Sequence, residues 1–315
     1  MSEPRTAVVA LGGNAITQDG VPDTIANQFR HTRQSLEGVV ALAREGWRLA
    51  ITHGNGPQVG NAILRVEIAR GQAPELPLGI CVADTEGGMG YMIEQSLYNA
   101  LHLSGVNRPV AAVITQVVVD EHDPAVKDPT KFIGKFYPRS VAQELAAENG
   151  WTVKPQGKQG WRRVVPSPVP CGIVESDIIR RLVAEGVVVI CCGGGGIPVF
   201  KLRDGRLEGL DAVIDKDRAS AVLASEIGAD LLLILTAVEQ VCLGYGTDTV
   251  TPLAALSAAE AQNYLAEGHF PPGSMGPKVE AAIDFLNRGG REVVITSIPR
   301  ALEAVRGQAG TRMHP

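Results

Sequence analysis

Three glycine-rich segments each directly follow a short apolar run: Leu11–Ala15 (LGGNA), Thr52–Gly60 (THGNGPQVG) and Gly193–Pro198 (GGGGIP). Glycine allows consecutive backbone N–H groups to point at one spot, and a following helix N-terminus adds partial positive charge. Open α/β sheets bind ligands at such strand ends. One segment of this kind is more often only a tight turn. Three of them at corresponding strand ends favour a phosphate-binding site.

Two common nucleotide-binding motifs do not fit these segments. None of the three ends in the Gly-Lys-Ser/Thr of the pattern G-x-x-x-x-G-K-[ST]. The dinucleotide fingerprint G-x-G-x-x-G is nearly met from Gly54, but the third glycine is Gly60, one place late. The sequence therefore supports neither a P-loop ATPase nor a nicotinamide-dependent dehydrogenase.

Three lysines lie beside Gly, Pro or Asp in turn-like contexts: Lys131, Lys216 and Lys278. Phosphoryl transfer depends on in-line positioning and on cations over the phosphate oxygens. Lys278 opens a predicted helix after a Gly-Ser-Met-Gly-Pro turn, where a phosphate would meet the helix N-terminus. A single lysine is ordinarily a solvated surface charge, so the hypothesis rests on the three together.

Three aspartates surround Lys216, namely Asp211, Asp215 and Asp217. They could orient the lysines or hold Mg²⁺ through water, because magnesium usually takes one or two carboxylates plus phosphate oxygens. Alternatively, they cap the helix predicted to start near Asp217. Asp217 could do both.

Strand and helix patterns alternate along the whole chain. Helical patterns lie between Ile25 and Ala43, around Ile93–Leu101, after the capping-box pair Ser257 and Glu260, and over Val279–Leu286. This alternation predicts an α/β fold with a mostly parallel sheet covered by helices on both faces. The expected buried strands are short, apolar and rich in β-branched residues: Ala7–Leu11, Arg48–Thr52, Val110–Val119, Val187–Cys192, Asp230–Leu235 and Glu292–Thr296.

One segment, from about Glu121 to Val169, departs from this rhythm and is rich in Pro, Gly and Lys. The stretch TVKPQGKQGWRRVV predicts a hairpin with glycines at the bend. Residues 127–163 carry eight cations against three carboxylates in an otherwise acidic protein. We interpret the segment as a small protruding subdomain, a candidate lid. A solvated basic loop explains the charge equally well.

Bulk composition narrows the function classes. A net charge of −5 argues against a general nucleic-acid or anionic-membrane binder. The N-terminus does not resemble a signal peptide, and no apolar stretch approaches the ~20 residues of a membrane span. The five cysteines lack ligand-like spacing, so we expect neither zinc nor disulfides. A reducing, cytoplasmic location fits best.

The sequence as a whole resembles the carbamate kinases of the amino-acid kinase superfamily. The resemblance runs from about Ala7 to Ile298 in family order. It is carried by the segments VVALGGNAI, ITHGNGPQVG, GYMIEQ, DPTKFIGKFY, VVPSPVP, CGGGGIPV, DAVIDKD, LLLILTAVEQV and FPPGSMGPKVEAAIDF.

The resemblance implies a homodimer of subunits, each an open αβα sandwich around a mainly parallel sheet. It implies the reversible reaction ATP + carbamate = ADP + carbamoyl phosphate with Mg²⁺, with synthesis of ATP during arginine catabolism as a plausible direction. We expect residues 1–210 to form the acceptor lobe, with the protruding subdomain at about 121–169. Residues 211–315 are expected to form the nucleotide lobe.

Site residues follow from the same resemblance. The catalytic set would be Lys131, Lys216, Asp217 and Lys278. The acceptor and the transferred phosphoryl would be held by Gly12, Gly13, Asn14, Gly54 and Asn55. The nucleotide would be held by Lys216, Thr236, Ala237, Val238, Met275 and Lys278, with the turn 270–275 as part of the adenine wall. Gly195 is added to the nucleotide-binding set because it lies in the third glycine-rich segment. We expect no metal ion that is bound by protein side chains alone. The Mg²⁺ of the reaction is expected to bind together with ATP or ADP.

Carbamate already carries an ionised nucleophilic oxygen, so a strong general base is not expected, and His53 is interpreted as shaping its turn. Lys135 and the stretch Gly87–Gly90 depart from the commonest family pattern and leave the acceptor less certain. Two alternatives therefore remain. One is a related kinase with another small carboxylate acceptor, and the other is a non-catalytic nucleotide or carbamoyl-phosphate sensor.

Overall fold

The computed structural model describes residues 4–17, 20–157, 159–245, 249–271 and 273–315, with Asn14 described through its backbone only. Its strands, in chain order, are β1 Thr6–Leu11, β2 Arg48–His53, β3 Val110–Ala112, β4 Gln116–Val119, β5 Lys131–Tyr137, β6 Thr152–Pro155, β7 Trp161–Val165, β8 Pro170–Ile173, β9 Val188–Ile190, β10 Ile197–Lys201, β11 Leu207–Gly209, β12 Leu231–Thr236, β13 Val241–Leu243, β14 Thr251–Leu253, β15 Ala255–Ser257, β16 Glu292–Ser297 and β17 Thr311–His314.

Its α-helices are α1 Ile25–Ser35, α2 Glu37–Arg44, α3 Gly56–Ile68, α4 Leu78–Leu103, α5 Pro124–Lys127, α6 Arg139–Asn149, α7 Ser176–Ala184, α8 Lys216–Glu226, α9 Ala258–Ala266, α10 Met275–Asn287 and α11 Ala301–Val305. Short 3-10 turns lie at Gly13–Ala15, Gly193–Gly195 and Ile298–Arg300. No helix in the described part of the chain is both long and apolar enough to cross a bilayer.

A sheet of eight strands forms the centre, in the order β15-β17-β16-β12-β1-β2-β9-β3. Every neighbouring pair is parallel except β16 with β17. The central strands β1 and β12 are apolar in almost every residue because helices cover both faces of the sheet. The predicted α/β class with a mainly parallel sheet is confirmed.

Alternate residues of β1 enter two separate cores. Val8 and Ala10 pack with α7, α8, α9 and α10, whereas Val9 and Leu11 pack with α2, α4 and α11. This is the period-two pattern of a strand between two helical layers. Truncating a fully buried residue such as Leu233 to alanine would cost about 2–5 kcal/mol of folding free energy. The two cores hold the strand ends in place.

Two predicted elements are divided in the structure. The helical pattern from Ile25 to Ala43 forms α1 and α2, separated at Leu36, and Ile25 is largely exposed. The apolar run Val110–Val119 forms β3 in the central sheet and β4 in a four-stranded sheet, β11-β10-β4-β8. The capping box of Ser257 and Glu260 at the start of α9 is as predicted.

The segment at 121–169 contains the antiparallel sheet β5-β7-β6 and the helices α5 and α6. The hairpin predicted from TVKPQGKQGWRRVV is present as β6 and β7, with Lys154 opposite Arg162. Several cations of this subdomain lie over aromatic rings, among them Arg162 over Phe136 and Arg163 over Trp151. Lys158, one of the eight predicted cations, lies outside the described residues.

Strands from the two parts of the sequence meet at the middle of the central sheet. β1, β2, β3 and β9 precede residue 211, whereas β12, β15, β16 and β17 follow it. The junction is the parallel pair β1 and β12, in register from Ala7 with Leu231 to Leu11 with Leu235. The two expected lobes therefore share one continuous sheet.

Candidate active site

The first and second glycine turns lie beside one another at the carboxyl ends of β1 and β2. The Gly12 N–H donates to the Leu235 carbonyl at 3.0 Å. A Cβ atom at Gly12 would lie 2.7 Å from that carbonyl oxygen, so only glycine fits there without a shift. A Cβ at Gly54 would lie 3.7 Å from both the Gly13 nitrogen and the Lys216 Cδ. The two turns and Lys216 are thus in contact.

The three predicted lysines converge on two aspartates. Lys131 Nζ lies 3.0 Å from Asp215 Oδ2, and Lys278 Nζ lies 3.1 Å from Asp217 Oδ2. Lys216 pairs with the other oxygen of Asp217. The lysines come from the subdomain strand β5, the first turn of α8 and the first turn of α10. Residues more than 140 positions apart in sequence therefore form one charge cluster.

Asp215, not Asp217, is the N-cap of α8. Its Oδ1 accepts from the backbone N–H groups of Asp217 and Arg218 at 2.9 and 3.3 Å. Burial alone would raise the pKa of Asp215, but the charges of Lys131 and Lys216 and these hydrogen bonds outweigh it and hold the pKa below its ordinary value. Asp215 is therefore an ionised anchor for Lys131, and the cap alternative for Asp217 is wrong.

A cavity of about 420 Å³ opens beside this cluster. Such a volume is in the range of small-molecule sites. Eight predicted site residues line the cavity: Gly12, Gly13, Lys216, Thr236, Ala237, Val238, Met275 and Lys278. Gly273 and Ser274, which belong to the predicted turn 270–275, line it as well, and so do Gln240, Cys242 and Tyr245, which the sequence did not single out for the site. Gln240, Cys242 and Tyr245 follow the carboxyl end of β12. Their position after a predicted strand could have identified them as candidate site residues.

Gly195 is not among the residues that line this cavity. A Cβ at Gly195 would overlap the Ile214 carbonyl oxygen, and Gly195 has a φ of 95°. Its neighbour Gly194 lies against the side-chain amide of Asn55. The third glycine turn, although it follows a strand as predicted, packs against the second turn and the segment before α8.

Gly54 and Asn55 do not line the cavity either, but they border the charge cluster from the side of β2. Asn55 is buried and its Nδ2 donates to Thr85 Oγ1 at 2.9 Å. The predicted turn 270–275 contributes Pro271, Gly273, Ser274 and Met275 to the cavity wall, and its residue Pro272 lies outside the described residues. The Asn14 side chain is likewise outside the described part of the chain, and its backbone lies in the 3-10 turn after Gly12.

Two buried titratable groups flank the second and third glycine turns. Burial lowers the pKa of His53 to about 4, with a hydrogen bond to the Gly54 carbonyl opposing the shift and Lys216 adding to it. Burial raises the pKa of Glu86 to about 8, against hydrogen bonds from the Gly193 and Thr115 backbones. His53 is therefore neutral at pH 7. Glu86 was not among the residues predicted from the sequence. It lies seven residues before Ile93, on the same apolar face of the helix, and a charged residue on an apolar face could have identified it.

The described residues contain no group of three or more His, Cys, Asp or Glu side chains that could hold a metal ion. Asp217 is engaged by two lysines and Asp215 by one. This donor set does not form a protein cage. It fits a divalent cation that takes most of its ligands from nucleotide phosphates and water.

A sequence profile of the Amino acid kinase family matches residues 5–297. The chain is 44% identical to the carbamate kinase of Pyrococcus horikoshii, over 99% of this chain and 100% of that protein. It is 45% identical to the carbamate kinase-like protein YahI of Escherichia coli, over 97% and 98% of the two chains. The structure of the carbamate kinase of Giardia lamblia bound to AMP-PNP superposes with a TM-score of 0.93 at 38% identity, covering 100% of this chain and 99% of that one. With its glycine turns, lysine cluster and cavity in one place, the chain belongs to the amino acid kinase family, and within it to the carbamate kinases.

Proposed function

We propose that this protein catalyses reversible phosphoryl transfer between ATP and carbamate, giving ADP and carbamoyl phosphate. The observation that carries the proposal is the convergence of Lys131, Lys216 and Lys278 on Asp215 and Asp217 beside the cavity. A non-catalytic sensor has no need to bring three cations from separate segments to one point. Relatives named carbamate kinase at 44% identity over the full chain support carbamate as the acceptor.

The nucleotide is assigned to the cavity. Its walls come from residues 236–245 and 271–278, within the proposed nucleotide lobe at 211–315. Lys278 and Lys216 lie at the N-termini of α10 and α8, where the helix dipoles add partial positive charge. The phosphates of ATP would enter from this side toward Gly12 and Gly13. A Giardia lamblia relative of the same fold binds AMP-PNP.

The acceptor is assigned to the opposite side of the lysine cluster, within residues 1–210. Gly54 and Asn55 border this side, and Lys131 reaches it from the subdomain. In the forward direction a carbamate oxygen attacks the γ-phosphorus as the bond from phosphorus to the ADP oxygen breaks. In the reverse direction an ADP oxygen attacks the phosphorus of carbamoyl phosphate, and carbamate leaves.

The chain's own contribution is positioning and charge neutralisation. The three lysines offset the negative charge of the transferred phosphoryl, while backbone N–H groups of the turn that follows Gly12 bind its oxygens. Asp217 holds Lys216 and Lys278 in place, and Asp215 holds Lys131. Neutral His53 is not required as a base, because carbamate is already ionised. Mg²⁺, when bound with the nucleotide, would neutralise further phosphate charge.

We also propose a homodimer. Ile80, Tyr91 and Tyr98 lie at spacings of 11 and 7 residues, which places them on one face of α4, and all three are about half exposed. Ile114 adds another exposed apolar side chain, and its Cδ1 would lie 3.8 Å from a Cβ at Gly87 on the same face. A continuous apolar face of this kind is typical of subunit contacts. Light scattering of the wild type and of Tyr98→Lys tests it, and an unchanged dimer mass in the variant would exclude this face.

The decisive assay is ATP formation from ADP, Mg²⁺ and carbamoyl phosphate, with acetyl phosphate and N-acetylglutamyl phosphate as comparators. Carbamoyl phosphate is expected to be the preferred donor. Folded protein that binds ADP but forms no ATP from any of the three donors would support the sensor alternative. Preference for acetyl phosphate would assign another carboxylate acceptor, and the relative named carbamate kinase-like makes that comparator informative. ATP synthesis in the cytoplasm during arginine catabolism is the physiological role we propose.

A further inference from the structure

Two neighbouring residues in the N-terminal third of α4, Thr85 and Glu86, contact the turns around the proposed acceptor site. Thr85 Oγ1 accepts from Asn55 Nδ2 at 2.9 Å. The same hydroxyl lies 3.0 and 2.9 Å from the carbonyls of Cys81 and Val82, to which it can donate. Asn55 belongs to the turn after β2, so Thr85 ties this turn to the helix.

Glu86 ties the next turn to the same helix. Its Oε1 accepts from the Gly193 N–H at 2.8 Å, and its Oε2 accepts from the Thr115 N–H at 3.2 Å. The side chain is only 3% exposed. Gly193 opens the glycine turn after β9, and Thr115 lies where the chain leaves the central sheet between β3 and β4. One buried carboxyl group therefore joins two chain segments that follow neighbouring strands.

The two tied turns are also packed directly on each other. A Cβ at Gly193 would lie 2.6 Å from His53 Nε2, and a Cβ at Gly194 would lie 2.1 Å from Asn55 Nδ2. The His53–Asn55 segment in turn contacts Gly13 and Lys216 through Gly54. A chain of contacts therefore runs from Glu86 and Thr85, through these turns, to the phosphoryl side of the site.

We propose that Thr85 and Glu86 are positioning residues that set the acceptor-side turn, His53–Asn55, relative to Gly13 and Lys216. The inference rests on the proposed function for the identity of the acceptor. Neither side chain lines the cavity assigned to the nucleotide. Their loss should therefore affect carbamoyl phosphate and leave ADP binding intact. The residues that face Glu86 are His53, Thr115, Glu175 and Cys192, and Glu175 adds like charge.

The opposing explanation is that both residues only stabilise the core. Kinetic constants separate the two explanations, because a purely stabilising residue lowers the fraction of folded enzyme without changing the KM of what remains. Thr85→Val keeps the side-chain shape and removes the hydroxyl, whereas Thr85→Ser restores it. Glu86→Leu removes both accepting oxygens, whereas Glu86→Gln keeps one. Ser96→Ala is the matched control, since Ser96 is buried on the same helix and its hydroxyl has no hydrogen-bond partner among the described residues.

Steady-state kinetics of ATP formation and calorimetric titration with ADP are the measurements. Thr85→Val and Glu86→Leu are expected to lower kcat/KM for carbamoyl phosphate by about tenfold or more, with the Kd for ADP within twofold of the wild type. Thr85→Ser should recover most of the activity, Glu86→Gln should recover part, and Ser96→Ala should equal the wild type. Unchanged kinetics in Thr85→Val and Glu86→Leu, or an equal loss of ADP binding, would overturn the proposal.

Amide hydrogen exchange separates this inference from the proposed function. Exchange at residues 53–55 and 193–196 should be faster in Thr85→Val and Glu86→Leu than in Ser96→Ala, whatever the acceptor is. If the wild type forms no ATP from carbamoyl phosphate while exchange in these turns rises as expected, the proposed acceptor is wrong and the positioning role stands. Unchanged exchange in both variants would refute the positioning role.

Discussion

Lys131 Nζ lies 3.0 Å from Asp215 Oδ2, and this ion pair joins the protruding subdomain to the first turn of α8. Asp215 is at the same time the N-cap of α8. The residue that starts the helix bearing Lys216 therefore also holds the lysine delivered by the subdomain. The Asp215 carboxylate therefore links the position of the subdomain to the N-terminus of α8, where we propose that phosphate binds.

Lys131→Ala is expected to lower turnover by roughly 10²-fold, because one preorganised cation is lost. The Kd for ADP should change little, since Lys131 does not line the nucleotide cavity. Steady-state kinetics and ADP titration provide the two measurements. A large loss of ADP affinity in a folded variant would contradict the assignment of the two substrates to opposite sides.

Lys278→Ala is expected to reduce kcat by about 10²–10³-fold. Lys278 lies in the cavity wall and pairs with Asp217, so its removal leaves Asp217 with Lys216 alone. Lys201→Ala serves as the control, because Lys201 is an exposed lysine at the end of β10. Equal kcat values in the two variants would remove Lys278 from the proposed catalytic set.

The variants Gly12→Ala and Gly13→Ala should distinguish an effect on folding stability from an effect on substrate binding. The added methyl group at Gly12 meets the Leu235 carbonyl at 2.7 Å, whereas nothing lies within 4 Å of a Cβ at Gly13. Gly12→Ala should therefore lose about 1–3 kcal/mol of unfolding free energy. Gly13→Ala should keep its stability and raise the KM for substrate, because the methyl group enters the cavity. Urea unfolding and kinetics check both, and equal stability of the two variants would contradict the packing described for Gly12.

The pH dependence of stability should contain a contribution from His53. Its pKa falls from an ordinary 6.5 to about 4 on folding, so the unfolded chain binds the proton more tightly. The contribution is fully present above pH 6.5 and is lost as the pH falls through about 4, with a total on the order of 3 kcal/mol. Urea unfolding at pH 7.5, 6, 5 and 4 measures it.

His53→Gln should flatten this part of the profile. Glu86 has the opposite sign: its raised pKa gives a contribution that is present below pH 4.5 and is lost as the pH rises through about 8. The alkaline limb should therefore remain in His53→Gln. An acid limb that is identical in His53→Gln and the wild type would show that His53 is not the group responsible.

Much of the fold could be predicted from sequence because period and turn chemistry are local. A few consecutive residues are enough to recognise the apolar strands β1, β2, β12 and β16 and the capping box of α9. The division of Val110–Val119 could not be predicted this way. Val113 N bonds to the Ile190 carbonyl and Thr115 N to Glu86, so the chain leaves the central sheet through long-range contacts that a continuous apolar run does not reveal.

The same distinction holds for the candidate site. Lys216 and Lys278 were predicted from turns and from resemblance, and the structure brings them together at Asp217. The pairing of Lys131 with Asp215 joins residues 84 positions apart and is set by how the subdomain meets α8. Gly195 was assigned to the nucleotide because glycine-rich turns often bind phosphate. In the structure Gly195 lies against Ile214 and does not line the cavity, and its contact with the nucleotide stays a prediction. A glycine-rich sequence alone does not distinguish a tight packing contact from a phosphate-binding turn.

The subdomain enters and leaves the body of the protein at adjacent points. Lys131 at the start of β5 pairs directly with Val165 at the end of β7. When the ends of an insertion meet in this way, the loops inside it can change in length without moving the sheet that carries it. The architecture is therefore modular: the loops of the subdomain can vary, while the paired ends keep Lys131 beside Asp215.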